Sequence, residues 1–251
     1  MMQRKPVTAI VQARLASERL PGKVLLPLGG KPILHHVLER TRAMEGIDHI
    51  ILATGNPEEN RELILLAEEM GIESFAGSDN NVLERFVLAA RPHSPEFVVR
   101  ITADNPFVDV EYGSMAVEIA RESKPDLSSV IHIPLGTALE VISFQALEMS
   151  LEGGHEEYHF EHVTPFIKEH QELFRIERYP VEIDNPFNEL RLTVDTPSDY
   201  HLAETIYDNL YNGKPFPLSK VISFLKTRTH LLELNRNIVQ RSMTHSANVS
   251  P

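Results

Sequence analysis

Four times in its first half the chain passes from an apolar run of strand length to a segment with helical spacing, with only short turns between. The strand-like runs are Val7–Val11, Ile47–Thr54, Ile72–Ala76 and Phe97–Thr102, and the helical segments after them are Lys31–Glu45, Glu58–Met70, Val82–Ala90 and Val110–Ser123. Leu63, Leu66, Ala67 and Met70 lie on one face of the second helical segment, which Gly71 ends. Such alternation predicts an α/β, Rossmann-like fold: a mostly parallel sheet with helices on both faces. Sheets of this kind bind ligands at the carboxyl ends of their strands, near the point where strand order reverses.

Two strand ends carry chemistry. After the first run comes a loop holding Arg14, Arg19 and Lys23, with Ser17, Pro21 and Gly22 between them, in a chain of net charge -12. A buried strand feeding a cationic loop with a glycine suits an anion, since backbone can approach at Gly22 and the cations offset phosphate charge. The alternative is a solvated surface loop. After the fourth run stands Asp104-Asn105-Pro106, which reads equally as an ordinary turn.

The second half is less regular. Strands are expected at Leu127–Ile133, Ala138–Phe144, Phe174–Val181 and Leu190–Val194, and helices at Gln145–Leu151, Glu156–His170, Asp199–Asn209 and Pro217–Lys226. Asp195 follows the Leu190–Val194 run as Asp104 follows its own. Two carboxylates facing a cationic loop can hold Mg²⁺ against a triphosphate, an arrangement suited to nucleotidyl transfer. The alternative is that Asp195 caps the next helix.

Composition narrows the classes. With no cysteine there are no disulfides, thiolate metal sites or thiol nucleophiles, in keeping with a cytoplasmic location. No run approaches the ~20 apolar residues of a membrane span. The start MMQRKP lacks a signal core. The acidic balance argues against nucleic acid as a partner. There is no G-x-x-x-x-G-K-[ST] and no G-x-S-x-G, and Gly29-Gly30 reads as a turn. His155, His159 and His162 would share one helix face, the spacing of a Zn²⁺ site, unless Gly153-Gly154 keeps His155 out of the helix. His35-His36 reads as a surface or packing pair. The expected organisation is one domain over 1–235, with halves at about 6–125 and 126–235, and a flexible tail over 236–251.

The segment Arg14–Lys23, RLASERLPGK, resembles the R-x-x-S-x-R-L-P-G-K signature of the sugar cytidylyltransferases, a family including the CMP-KDO synthetases and the spore-coat-polysaccharide type. The resemblance continues in order through Ala53-Thr54, Gly77-Ser78, Asn81–Phe86, Arg100–Pro106, Gly136, Glu140-Val141, Glu161–Pro165 and Arg191–Thr196. It implies a glycosyltransferase-A-like nucleotidyltransferase fold that couples CTP to a sugar, an acidic one for surface polysaccharide, as a homodimer using Mg²⁺. Carried over by position, Arg14 and Lys23 meet the triphosphate, with Arg19 in the same loop, and Asp104 and Asp195 hold the metal. Gln12, Ala13 and Arg14 meet the base through backbone. Gly22, Ser78, Arg85 and Thr102 lie near the nucleotide, and Glu140, Glu161 and His162 face the sugar. Thr102 stands where the KDO enzymes have glutamine, and Glu18 where a threonine is common. Two other readings compete: a glycosyltransferase, which would release a nucleoside diphosphate where a cytidylyltransferase releases pyrophosphate, and a non-catalytic nucleotide-binding module.

Overall fold

The structure, a computed structural model, describes residues 4–183 and 187–240. Seven strands form its main sheet: β1 (Val7–Gln12), β4 (His49–Thr54), β5 (Glu73–Ala76), β6 (Phe97–Thr102), β7 (Leu127–Ile131), β8 (Glu140–Ser143) and β9 (Ile176–Pro180). Two short strands, β2 (Pro27–Leu28) and β3 (Lys31–Pro32), make a separate hairpin. The main sheet runs in the order β5-β4-β1-β6-β8-β7-β9, and β8 alone is antiparallel to its neighbours. Connections from β1 lead outward through β4 to β5, and the chain then returns to the other side of β1 as β6. The order therefore reverses between β1 and β6, and their carboxyl ends flank the expected ligand crevice.

Alternation along β1 distributes the core. Val7, Ala9 and Val11 face one layer, and Ile10 faces the other. The first layer holds α1 (Ile33–Ala43), α2 (Arg61–Glu69), α4 (Val110–Ser123), α8 (Pro197–Leu210) and α9 (Leu218–Lys226). The second holds α3 (Val82–Ala90), α5 (Phe144–Gly153), α6 (Glu157–His162) and α7 (Pro165–Glu169). Helices thus cover both faces of a mostly parallel sheet, as the alternation predicts.

Three expectations are corrected. Leu190–Val194 joins no strand ladder: it makes one bridge, Leu135 to Arg191, and otherwise passes as irregular chain. Glu156–His170 is two helices, because Pro165 lacks the amide that would continue the first, and Val163 takes a positive φ of 70° at the break. The helix expected from Lys31 starts at Ile33, because Lys31-Pro32 pairs with Pro27-Leu28 around a Gly29-Gly30 turn whose φ values are 52° and 83°. Of the tail expected over 236–251, residues 241–251 lie outside the described residues.

Candidate active site

The cationic loop is tied down at both ends. Ala13 donates its N–H to the Ala53 carbonyl (3.1 Å), and the Gln12 carbonyl accepts from Ala103 (2.9 Å). Leu15 donates to Oδ1 of buried Asn60 (2.9 Å), and the Leu15 carbonyl accepts from Gly22 (3.1 Å). Gly22 takes a left-handed conformation (φ 65°), and a Cβ there would meet nothing within 4 Å, so it is the turn that requires glycine. The turn launches Lys23 inward, and its side chain is only 12% exposed.

Lys23 is where the sequence's two aspartates meet. Its Nζ donates to Asp104 Oδ2 at 2.8 Å and to Asp195 Oδ1 at 2.7 Å. Arg19 stands 3.2 Å from the same Asp195 oxygen, and Arg191 donates to Asp195 Oδ2 at 2.6 Å. Burial works to raise the Asp195 pKa, but the Lys23 hydrogen bond and the charges of Lys23, Arg19 and Arg191 hold the carboxyl below its ordinary value. The helix-cap alternative for Asp195 is corrected. Thr196 caps α8 by accepting from Asp199 N, and Asp199 accepts from Thr196 N in return.

The metal fits this pair. Two carboxylate oxygens within 2.8 Å of one ammonium converge on a single cation-sized position. An all-oxygen set of one or two carboxylates completed by phosphate is what Mg²⁺ takes.

Around this centre the other expected residues fall into two groups. Arg85 on α3 is buried and donates to the Ser78 carbonyl at 2.8 Å. Its Nε, like Gln12 Oε1, is buried without a hydrogen-bond partner among the described residues. Thr102 accepts from Asn105 Nδ2 at 2.7 Å. Arg14 reaches outward to Glu161 of α6 at 3.8 Å; the arginine is exposed and the glutamate half-buried.

In the second group, Thr102 and Glu140 line a cavity of about 390 Å³ with Arg100, Asn105 and His132, whereas Glu161 and His162 are not in its lining. Glu140 receives Arg100 (2.9 Å), Lys168 (2.5 Å) and Thr164 (3.2 Å). Burial favours its neutral form, but Arg100 and Lys168 outweigh this and keep its pKa below the ordinary value. His162 is shifted down, chiefly by burial, with Glu161 opposing and Arg100, Arg14 and Lys168 adding to it.

The histidine cluster does not assemble as a metal site. His155 precedes α6, and buried His159 spends Nε2 on Glu169 (2.9 Å) while Nδ1 accepts from the Glu156 amide (3.4 Å). No group of three or more metal-ligating side chains occurs among the described residues. Asn60, Arg191 and Lys168 support the site without having been singled out from sequence as site residues. Asn60 and Lys168 belong to no quoted motif, and only contact across the fold reveals them.

Fold and site together define an α/β nucleotidyltransferase, with its charged groups at the reversal of strand order. A cytidylyltransferase family model matches residues 8–228, and the chain belongs to that family. It is 35% identical over 236 residues to the uncharacterized protein MJ1063 of Methanocaldococcus jannaschii, covering 94% of this chain and 97% of that protein. It is 32% identical over 223 residues to the spore coat polysaccharide biosynthesis protein SpsF of Bacillus subtilis, covering 86% of this chain and 92% of that one. A cytidylyltransferase structure from Leptospira borgpetersenii superposes with a TM-score of 0.84 at 26% identity, covering 96% of this chain and all of that one.

Proposed function

We propose that this enzyme is a Mg²⁺-dependent CTP:sugar cytidylyltransferase that makes a CMP-sugar and pyrophosphate from an acidic sugar destined for surface polysaccharide. The observation that carries the reading is the convergence of Asp104 and Asp195 on Lys23 at the carboxyl ends of β1 and β6. In the reaction the sugar hydroxyl oxygen bonds to the α-phosphorus and gives up its proton to water, the bond from that phosphorus to the bridging oxygen breaks, and pyrophosphate leaves. Lys23, on a flexible stem, exchanges the carboxylates for phosphate oxygens when the triphosphate enters, and Arg14 and Arg19 add charge along it. Asp104 and Asp195 would hold Mg²⁺, which supplies Lewis-acid stabilisation of charge on the phosphoryl oxygens.

Backbone of Gln12, Ala13 and Arg14 serves the base, while Ser78, Arg85 and Thr102 flank the nucleotide. Glu140, Glu161 and His162 serve the sugar in the adjoining half of the same domain. No helix among the described residues is long and apolar enough to cross a membrane. In this reading the enzyme acts in the cytoplasm, in keeping with its cysteine-free composition, and as a homodimer, which follows from the family resemblance.

Pyrophosphate release with each of the four nucleoside triphosphates, against a panel of nonulosonic and octulosonic acids, tests the proposal. Release with CTP and one acid is expected. Equal rates with UTP refute the cytidine assignment, and no pyrophosphate from any triphosphate, together with release of a nucleoside diphosphate when a nucleotide sugar is supplied as donor, points to the glycosyltransferase reading.

A further inference from the structure

The rear of Asp195 is built as carefully as its front, and from a part of the chain remote in sequence. Oδ1 of Asp195 faces Lys23 and Arg19, whereas Oδ2 is taken by Arg191 Nη2 at 2.6 Å. Each nitrogen of the Arg191 guanidinium has its own acceptor: Nε donates to Asp199 Oδ1 at 2.9 Å, and Nη1 donates to Gln240 Oε1. Asn235, only 5% exposed, donates from Nδ2 to the Arg191 carbonyl and to Asp199 Oδ1, each at 2.9 Å. Asp199 Oδ2 closes the circuit by accepting from the Asp195 amide at 3.1 Å.

A planar fork with three engaged nitrogens fixes direction as well as charge, which a lysine could not do. With Oδ2 pinned, the carboxylate cannot rotate about its own axis, and Oδ1 stays turned toward the crevice. We infer that Arg191, held in place by Asn235 and Gln240 of the C-terminal segment, is a positioning residue that aims Asp195 Oδ1 at the metal–nucleotide. This rests on the proposed role of Asp195 as a metal ligand. The C-terminal segment is therefore part of the catalytic apparatus, acting 44 and 49 residues away from Arg191 in sequence.

The test titrates CTP calorimetrically into wild type, Asn235→Ala and Gln240→Ala, with and without Mg²⁺, alongside steady-state pyrophosphate release and thermal melting. Metal-free CTP affinity should be unchanged in both variants. The Mg²⁺-dependent gain in affinity, and kcat with it, should fall about tenfold or more in Asn235→Ala, the range found when a ligand's supporting partner is removed. A smaller loss is expected in Gln240→Ala, and the KM for sugar should stay constant. A folded Asn235→Ala that retains both the Mg²⁺-dependent gain and kcat overturns the inference. Gln240 is exposed, so its variant decides the matter if Asn235→Ala does not fold, and wild-type behaviour there overturns it equally. If wild type itself binds CTP no more tightly with Mg²⁺, the metal role of Asp195 is what fails, and the inference falls with it.

Discussion

Val194 donates its backbone N–H to the carbonyl of Asp104 at 2.8 Å, and this bond sets the two aspartates side by side. The residues lie far apart in sequence and in different kinds of structure, one in the turn that follows β6 and the other in irregular chain. The chain from Leu190 to Val194 is also fastened to Leu135, whose amide donates to Leu190 and whose carbonyl accepts from Leu192, each at 2.8 Å. Irregular backbone held by such bonds keeps its polar groups satisfied and can present a side chain as firmly as a strand.

Asp104→Asn and Asp195→Asn each keep the shape of the side chain and remove its charge. Turnover should fall by about 100-fold or more in each, the loss expected when charge stabilisation of several kcal/mol is withdrawn from the transition state. Pyrophosphate release measures the rate, and cooperative thermal unfolding checks that the fold persists. Near-wild-type turnover in either variant removes that residue from the metal site.

Gly136→Ala should damage the same segment through its backbone. A Cβ at Gly136 would stand 2.4 Å from Thr193 N and 2.8 Å from Thr193 Cα, and neither atom can swing aside. Gly213 has the same φ of +92° but open space around it, so Gly213→Ala bears the backbone strain alone. Overpacking at Gly136 should cost about 1–3 kcal/mol beyond that strain. Urea denaturation of the two variants reads the difference directly, and equal losses would show that the contact with Thr193 is immaterial.

His36 gives stability a dependence on pH. It is 1% exposed, lies between the rings of Tyr207 and Tyr211, and donates from Nε2 to the Leu28 carbonyl at 2.7 Å. Burial lowers its pKa to about 4, chiefly by disfavouring the charged ring, with His35 and Arg40 adding repulsion. The unfolded chain, with an ordinary pKa near 6.5, then binds the extra proton between about pH 4 and 6.5. The stabilisation is complete above pH 6.5 and is lost as pH falls toward 4, by about 3 kcal/mol in all. His36→Gln retains a donor for Leu28 and cannot titrate. Its stability profile should be flatter than that of wild type across this window, and parallel profiles would contradict the assignment.

Sequence pattern carried the fold's first half well, because each strand there is an uninterrupted apolar run and each helix has a periodic face. It failed where tertiary contact decides the conformation. Leu190–Val194 has the residues of a strand, yet its partners are Leu135 and Asp104, and no ladder forms. Pro165 divides Glu156–His170, and the Val163 turn shows no local signal. The candidate site was legible where residue types are rare in context: three cations in one loop and an aspartate after each of two apolar runs. Asn60, Asn235 and Gln240 were not legible, because an amide has no pattern until the fold shows what it holds.

Asn60 yields the last prediction, and it concerns the loop on which the nucleotide reading depends. It is 3% exposed, accepts from the Leu15 amide at 2.9 Å, and donates to the Asn56 carbonyl at 2.9 Å. This pair of bonds links the Arg14–Lys23 loop to the segment after β4, at the point where the loop leaves the sheet. Asn60→Ala removes the acceptor and leaves the Leu15 N–H without its partner, at a cost of about 1–3 kcal/mol. Much of that cost falls on the loop's native conformation, since the rest of α2 keeps its own contacts. The KM for CTP should therefore rise more than kcat falls. Asn60→Asp, which keeps an oxygen for Leu15, should recover most of the wild-type KM. Steady-state kinetics of the two variants decide the point: if Asn60→Ala binds CTP as wild type does, the loop's conformation does not depend on this amide.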